Sequence, residues 1–204
     1  MKRLTIAFDM DGVLVNLMAV AKPLLMSEYG AEWISTPNFS IETQPPLTNS
    51  ELWKVFRMCY PKYKTTPIFP GAKELFEGLY EASGEPIKII TARPYDAAEY
   101  TIKQAMRIAD VPVSVDIVEG WENKIKFLAN YDFFVEDRRK TAYALAELGK
   151  KCFLIDRPYN VEKYPEGDPE NVIRIPHLER LHSLIQLAPT SFIQEVNHAV
   201  SHFI

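Results

Sequence analysis

Two carboxylates one residue apart, Asp9 and Asp11, follow a short apolar run and enter a glycine turn, Leu4-Thr5-Ile6-Ala7-Phe8-Asp9-Met10-Asp11-Gly12-Val13. On an extended backbone, residues i and i+2 share a side. Two acids held so close need a cation or a shared proton. A hard divalent ion with oxygen ligands, Mg2+ in the simplest case, meets that need. Gly12 permits a sharp turn in which backbone N–H groups face an anion. An attacking carboxylate, a second acid, a metal and a phosphate cradle together describe phosphoryl transfer through an aspartyl-phosphate. In that chemistry Asp9 is the nucleophile. Asp11 protonates the leaving alkoxide and then deprotonates the attacking water. A plain metal-binding Asp-x-Asp, as in some glycosyl transferases, lacks this strand-and-glycine setting.

Further polar residues recur at the ends of apolar runs. Thr91 ends Ile87-Lys88-Ile89-Ile90, and its hydroxyl, with the N–H groups of Ala92 and Arg93 entering a helix, can donate to phosphate oxygens. Lys124 precedes an apolar helical stretch and can neutralise Asp9 and a transferring phosphate. Lys126 competes for that role, because its spacing to Glu136 is equally suitable. Glu136 and Asp137 close the run Tyr131–Val135. One of these acids can bind metal while the other orients the lysine. The expected metal ligands are Asp9, Asp11 and Asp137, with Glu136 in support.

These residues need a scaffold that brings strand ends together. Short strands are expected at Leu4–Phe8, Ile87–Ile90, Val113–Val118, Tyr131–Val135 and Lys151–Ile155, with an edge strand at Val172–Ile175. Helical periodicity lies between them at Ala72–Ala82, Ala97–Ala109, Lys124–Leu128 and Ala142–Leu148. Alternation of this kind implies βαβ units and a Rossmann-like, mostly parallel sheet flanked by helices, an α/β fold. Ligands then sit at the carboxyl ends of the strands, where every polar cluster above falls. Residues 16–71 break the alternation with aromatics, methionines and prolines. They read as an inserted helical cap, with helices over Leu17–Tyr29 and Ser50–Tyr60 and a cap residue at Asn49 or Ser50. The core is expected over 1–15 and 72–175, with a C-terminal helical extension over 176–204. In that extension Glu195, His198 and His202 share a helical face.

The chain of 204 residues is 47% hydrophobic and 25% charged, with a net charge of −4. This supports one full core with a smaller appended unit and gives no generic attraction to duplex nucleic acid or anionic membrane. Cys59 and Cys152 are expected to be ordinary buried thiols. The acids at 9 and 11 interrupt any signal-like apolar run, so a cytoplasmic protein is expected. A homo-oligomer is compatible with the last helix.

The ordered set of Asp-x-Asp-Gly-Val, strand-terminal Thr, Lys and an acidic pair resembles the haloacid-dehalogenase-like superfamily, over about residues 1–15 and 72–157. The resemblance implies phosphorylation of Asp9, acid/base work by Asp11 and Mg2+ held with the help of Asp137. Dehalogenases proper lack the second aspartate, so Asp11 argues for phosphate chemistry. Ile68-Phe69-Pro70-Gly71-Ala72, the compact cap and Asp156-Arg157-Pro158-Tyr159-Asn160 are similar to the 5'(3')-deoxyribonucleotidase group. That likeness implies a small phosphorylated substrate, a nucleoside monophosphate, with Trp33, Phe39 or Trp53 stacking on its base and Arg57 or Arg93 on phosphate or sugar. The competing expectations are a phosphatase or phosphomutase acting on another small metabolite, and a phospho-accepting regulatory protein.

Overall fold

The computed structural model describes residues 5–35, 41–161 and 167–187. The expected last helix, with Glu195, His198 and His202, lies outside them, as does Phe39. In chain order the elements are β1 (Ile6–Phe8), α1 (Met18–Tyr29), β2 (Glu32–Ser35), β3 (Ile41–Gln44), α2 (Asn49–Cys59), α3 (Ala72–Ser83), β4 (Ile87–Thr91), α4 (Ala98–Ala105), β5 (Val113–Ile117), α5 (Trp121–Leu128), β6 (Phe133–Glu136), α6 (Arg139–Glu147), β7 (Lys151–Ile155), β8 (Val172–Ile175) and α7 (Leu178–Leu187).

Six strands form one sheet in the order β5-β4-β1-β6-β7-β8, and every pairing in it is parallel. The fold class expected from the alternation is therefore observed. β1 is central, with Ala7 opposite Lys88 on one side and Phe134 on the other. Period-two alternation divides its neighbours between two cores. Phe8, Ile89, Val135 and Phe153 pack with Leu75 and Phe76 of α3 and with Leu178 and Leu181 of α7. Ala7, Ile90 and Phe134 pack with Leu128 of α5 and Leu145 of α6. Burying one phenylalanine side chain contributes roughly 1.5–3 kcal/mol, so Phe8, Phe76, Phe134 and Phe153, all fully buried, anchor the layers. Both cysteines are buried and free.

The segment between β1 and α3 has its own small core, in which Leu17, just before α1, and Ala21 and Leu25 of α1 meet Leu52, Val55 and Cys59 of α2. It is not all helical. β2 and β3 form an antiparallel pair with Trp33 opposite Thr43. Four-residue strands next to prolines carry too little periodicity to be seen in sequence. The cap of α2 is Thr48, not Asn49 or Ser50 as expected. Its hydroxyl accepts from Glu51 N–H while the Glu51 carboxylate accepts from Thr48 N–H, a reciprocal capping box. No described helix is long and apolar enough to cross a membrane.

Candidate active site

Asp9 is the first residue beyond β1, and its N–H continues the ladder by donating to Val135 O at 2.9 Å. The chain then turns tightly. Leu14 and Val15 N–H both donate to Met10 O, and Gly12 N–H donates to Val15 O. Met10, Val13 and Leu14 are fully buried, which anchors this turn from beneath. Gly12 has φ +80°, and a Cβ there would stand 1.9 Å from Asp137 Oδ2. Only glycine fits on both counts.

β6 delivers Glu136 and Asp137 beside Asp9, and α5 delivers Lys124. Lys124 Nζ is 2.9 Å from Asp9 Oδ1 and 3.1 Å from Glu136 Oε2, and all three side chains are buried. Lys126 is exposed, so the structure chooses between the two lysines. Glu136 Oε1 also accepts from the N–H groups of Asp137 and Arg138. Burial opposes the charge on Glu136, but Lys124 and these donors outweigh it and hold its pKa down at about 2. Asp9 responds differently. Burial raises it, Lys124 only partly compensates, Glu136 adds repulsion, and its pKa rises to about 7. Asp137 is pushed well above the ordinary carboxylate range, by burial and then by Glu136. Burial also opposes the Lys124 ammonium, but Asp9 and Glu136 more than offset this and hold its pKa above the usual lysine value.

Asp9, Glu136 and Asp137 bring one carboxylate oxygen each within 4.8 Å of one another. Among the described residues three acids face one ammonium, and buried Asp137 Oδ1 has no hydrogen-bond partner. An all-oxygen site with surplus negative charge suits a hard divalent cation. This grouping differs from the expected ligand set: Glu136 stands inside it, and the Asp11 carboxylate does not. Arg93 accounts for the difference. Its Nε donates to Asp11 Oδ2 at 2.8 Å and its Nη2 to Asp11 Oδ1 at 2.6 Å, a two-pronged pairing. Burial disfavours the Arg93 charge, but Asp11 outweighs that and keeps it ionised. The same guanidinium lies 4.9 Å from the centre of the Tyr60 ring, so one residue joins Asp11 to the inserted segment.

Thr91 ends β4 and is buried. Its Oγ1 accepts from Arg93 N–H at 3.4 Å. The expected helix entry at Ala92 and Arg93 is displaced, because residues 92–94 form a loop and helical structure begins with a 3-10 turn at Tyr95–Ala97. Pro94 imposes this, since the residue before a proline is turned away from helical angles.

A second tier was missed by sequence reasoning. Tyr159 O–H donates to Asp137 Oδ2. Asn160 Nδ2 donates to Asp137 O at 2.6 Å and to Ile155 O at 2.7 Å, and Arg157 Nε donates to Gly12 O at 2.6 Å. In the sequence the segment Asp156–Asn160 stands out as a polar run after a strand and for its likeness to the 5'(3')-deoxyribonucleotidase group, with no role attached to its residues.

Two cavities open onto these groups. One, of about 460 Å³, is lined by Asp9, Thr91, Ala92, Arg93 and Lys124 on one side and by Asn49, Leu52, Trp53 and Phe56 of α2 on the other. The second, of about 240 Å³, is lined by Lys22, Trp33, Arg157 and Tyr159. Asp11, Leu17, Phe56 and Asp137 border both. The expected base-stacking residues Trp33 and Trp53 are therefore in different chambers. Trp33 has the Lys22 ammonium over its ring at 4.6 Å and meets Tyr159 edge-on. Trp53 is 52% exposed and meets only Phe56 edge-on among its described ring contacts. Arg57 lines neither chamber and pairs with Asp96 at 2.8 Å on the surface.

No protein-family model matches the sequence, and no curated protein does. Solved structures do. A HAD-family hydrolase from Deinococcus radiodurans R1, with bound phosphate and sodium, superposes with TM-score 0.57 at 15% identity, over 92% of this chain and 97% of that one. A haloacid-dehalogenase-like family hydrolase from Streptococcus pneumoniae gives 0.56 at 18% identity, over 88% and 98%. A predicted phosphoglycolate phosphatase from Haemophilus somnus gives 0.55 at 16%, over 89% and 98%. The chain has the haloacid-dehalogenase-like fold. In this fold the C-terminal tips of β1, β4 and β6 supply Asp9, Thr91 and Glu136, and the insertion between β1 and α3 roofs them.

Proposed function

We propose that the protein is a Mg2+-dependent phosphomonoesterase that works through an aspartyl-phosphate on Asp9, with nucleoside monophosphates as its substrate class. The observation that carries the reading is the buried Lys124 ammonium shared by Asp9 and Glu136, beside an acidic cluster with an unpartnered Asp137 oxygen. Asp9, Glu136 and Asp137 would hold the cation with the Asp11 main-chain carbonyl, and the cation would neutralise and align the phosphate.

The remaining work falls to the chain itself. One Asp9 carboxylate oxygen attacks phosphorus, forming an acyl-phosphate bond as the P–O bond to the alcohol breaks. Asp11 gives the departing alkoxide its proton and then takes one from the water that attacks the acyl phosphate, releasing inorganic phosphate and restoring Asp9. Arg93 grips both Asp11 oxygens in this structure, so Asp11 takes up the proton it gives only when one of those two hydrogen bonds opens as substrate enters. Lys124, the Thr91 hydroxyl and the Ala92 N–H would take the phosphate oxygens, whereas the Arg93 N–H is given to Thr91 Oγ1.

The chamber that contains Asp9 and Lys124 also contains Trp53, so the base of the substrate rests on Trp53. Trp33 lines the other chamber, with Lys22 over its ring, and has no part in the stacking in this reading. A phosphate-release screen over nucleoside monophosphates, sugar phosphates and phosphoglycolate, with Mg2+ or with chelator, tests the reading. Expected is Mg2+-dependent turnover that is fastest on the nucleotides and lost in Asp9→Asn. Turnover only on phosphoglycolate or sugar phosphates would keep the chemistry and refute the substrate class. Activity surviving in Asp9→Asn would refute the nucleophile.

A further inference from the structure

The loop after β7 reaches back across the sheet to grip a residue at the tip of β6. Residues 157–160 close a turn in which Asn160 N–H donates to Arg157 O at 2.9 Å, and Asn160 Oδ1 accepts from Arg157 N–H at 2.9 Å. From this turn Asn160 holds the Asp137 carbonyl and Tyr159 holds Asp137 Oδ2. Asp137 Oδ1 is then left buried and, among the described residues, without a hydrogen-bond partner, in the same cluster as the Asp9 and Glu136 oxygens. A carboxylate held at one oxygen cannot rotate freely about its last bond, so the other oxygen stays where it is. The Tyr159 ring is itself held, being only 7% exposed and edge-on to Trp33 at 6.2 Å. Gly12 leaves no slack beside it, because a Cβ there would also stand 2.8 Å from the Tyr159 hydroxyl oxygen.

We propose that Tyr159 is a positioning residue for divalent-cation binding: its hydroxyl occupies one Asp137 oxygen and so presents the other to the cation. The inference rests on the reading of Asp9, Glu136 and Asp137 as cation ligands. Its ligand class is a hard divalent ion taken through oxygen. Trp33 enters as the packing partner that keeps the Tyr159 ring in register, which gives β2 a role in the site that does not involve touching substrate.

The test is calorimetric titration of Mg2+ into the full chain without substrate, comparing wild type, Tyr159→Phe and Asp137→Asn. Phenylalanine keeps the ring against Trp33 and removes only the donor. Loss of such a supporting hydrogen bond weakens metal affinity about tenfold or more. The expected result is that weakening in Tyr159→Phe, with a cooperative thermal melt in chelator that shows the variant folded, and loss of binding in Asp137→Asn. Wild-type affinity in Tyr159→Phe, with binding lost in Asp137→Asn, would overturn the role of Tyr159 and leave the ligand reading standing. A wild-type chain that takes up no Mg2+ would overturn both. If Tyr159→Phe does not fold, 3-fluorotyrosine at position 159 decides the matter by 19F NMR. A resonance that moves in step with Mg2+ saturation supports the proposal, and one that stays fixed throughout refutes it.

Discussion

Replacing Lys124 by methionine keeps a side chain of similar length in a buried slot and removes its charge. In the native protein that charge is shared between Asp9 at 2.9 Å and Glu136 at 3.1 Å, and the nitrogen is almost wholly shielded from water. Removing one partner of a buried ion pair costs about 3–5 kcal/mol, because the other is left charged and desolvated. In a domain of this size that corresponds to a fall of about 10 °C in melting temperature. The loss depends on pH, and its sign follows from Asp9. The native pKa of Asp9, about 7, lies above its ordinary value of 3.8. The folded chain therefore binds more protons than the unfolded one between those values. The resulting stabilisation is complete below about pH 4 and is lost as pH rises through 7. Without Lys124, Asp9 loses the main group that lowers its pKa and titrates higher still. The gap between variant and wild type should therefore widen from pH 6 to pH 8. Thermal melts followed by circular dichroism in chelator read this directly. Lys126→Met, on the exposed neighbour, is the control and should stay within about 0.5 kcal/mol of wild type. If Lys124→Met at pH 8 melts with Lys126→Met, the buried ammonium does not hold the acids together and the electrostatic account of the site fails.

Gly12→Ala should lose Mg2+ affinity in calorimetric titration, since its Cβ would displace Asp137 Oδ2. It should also lose about 1–2 kcal/mol of stability to chemical denaturation from the positive φ alone. Trp53→Ala should raise KM for a nucleoside monophosphate about tenfold, the worth of one base stack of about 1–3 kcal/mol, and leave KM for a small acyclic phosphate unchanged. Steady-state kinetics on the two substrates separate these outcomes.

The chemical residues at strand ends were legible because local pattern and chemistry coincide there. Asp9, Thr91, Glu136 and Asp137 each follow an apolar run whose length and composition already specify a buried strand. What is decided by distant parts of the chain was not legible. Lys124 and Lys126 have equal standing in the sequence, and only the face that α5 turns toward Ile90 and Phe134 of the sheet, which carries Lys124 and Leu128, separates them. The engagement of Asp11 by Arg93 spans 82 positions, and that of Asp137 by Tyr159 spans 22. Neither pairing leaves a periodic trace. In the inserted segment the helices were visible through their apolar spacing, whereas β2 and β3 were hidden by their brevity and neighbouring prolines. The Thr48 capping box was legible in principle as Thr-x-x-Glu, though Asn49 and Ser50 masked it.

The place of β1 in the sheet has a consequence for synthesis. Ile6 pairs with Phe133 and Ala7 with Lys88, so β1 is flanked by strands made much later. At a ribosomal pace of about 5–20 residues per second, some ten seconds pass between the emergence of the Asp9 segment and that of its second neighbour. Nascent chains halted before Val135 lack the carbonyl that receives the Asp9 amide hydrogen. The acidic cluster is thus assembled late, since its contacts join remote parts of the polypeptide.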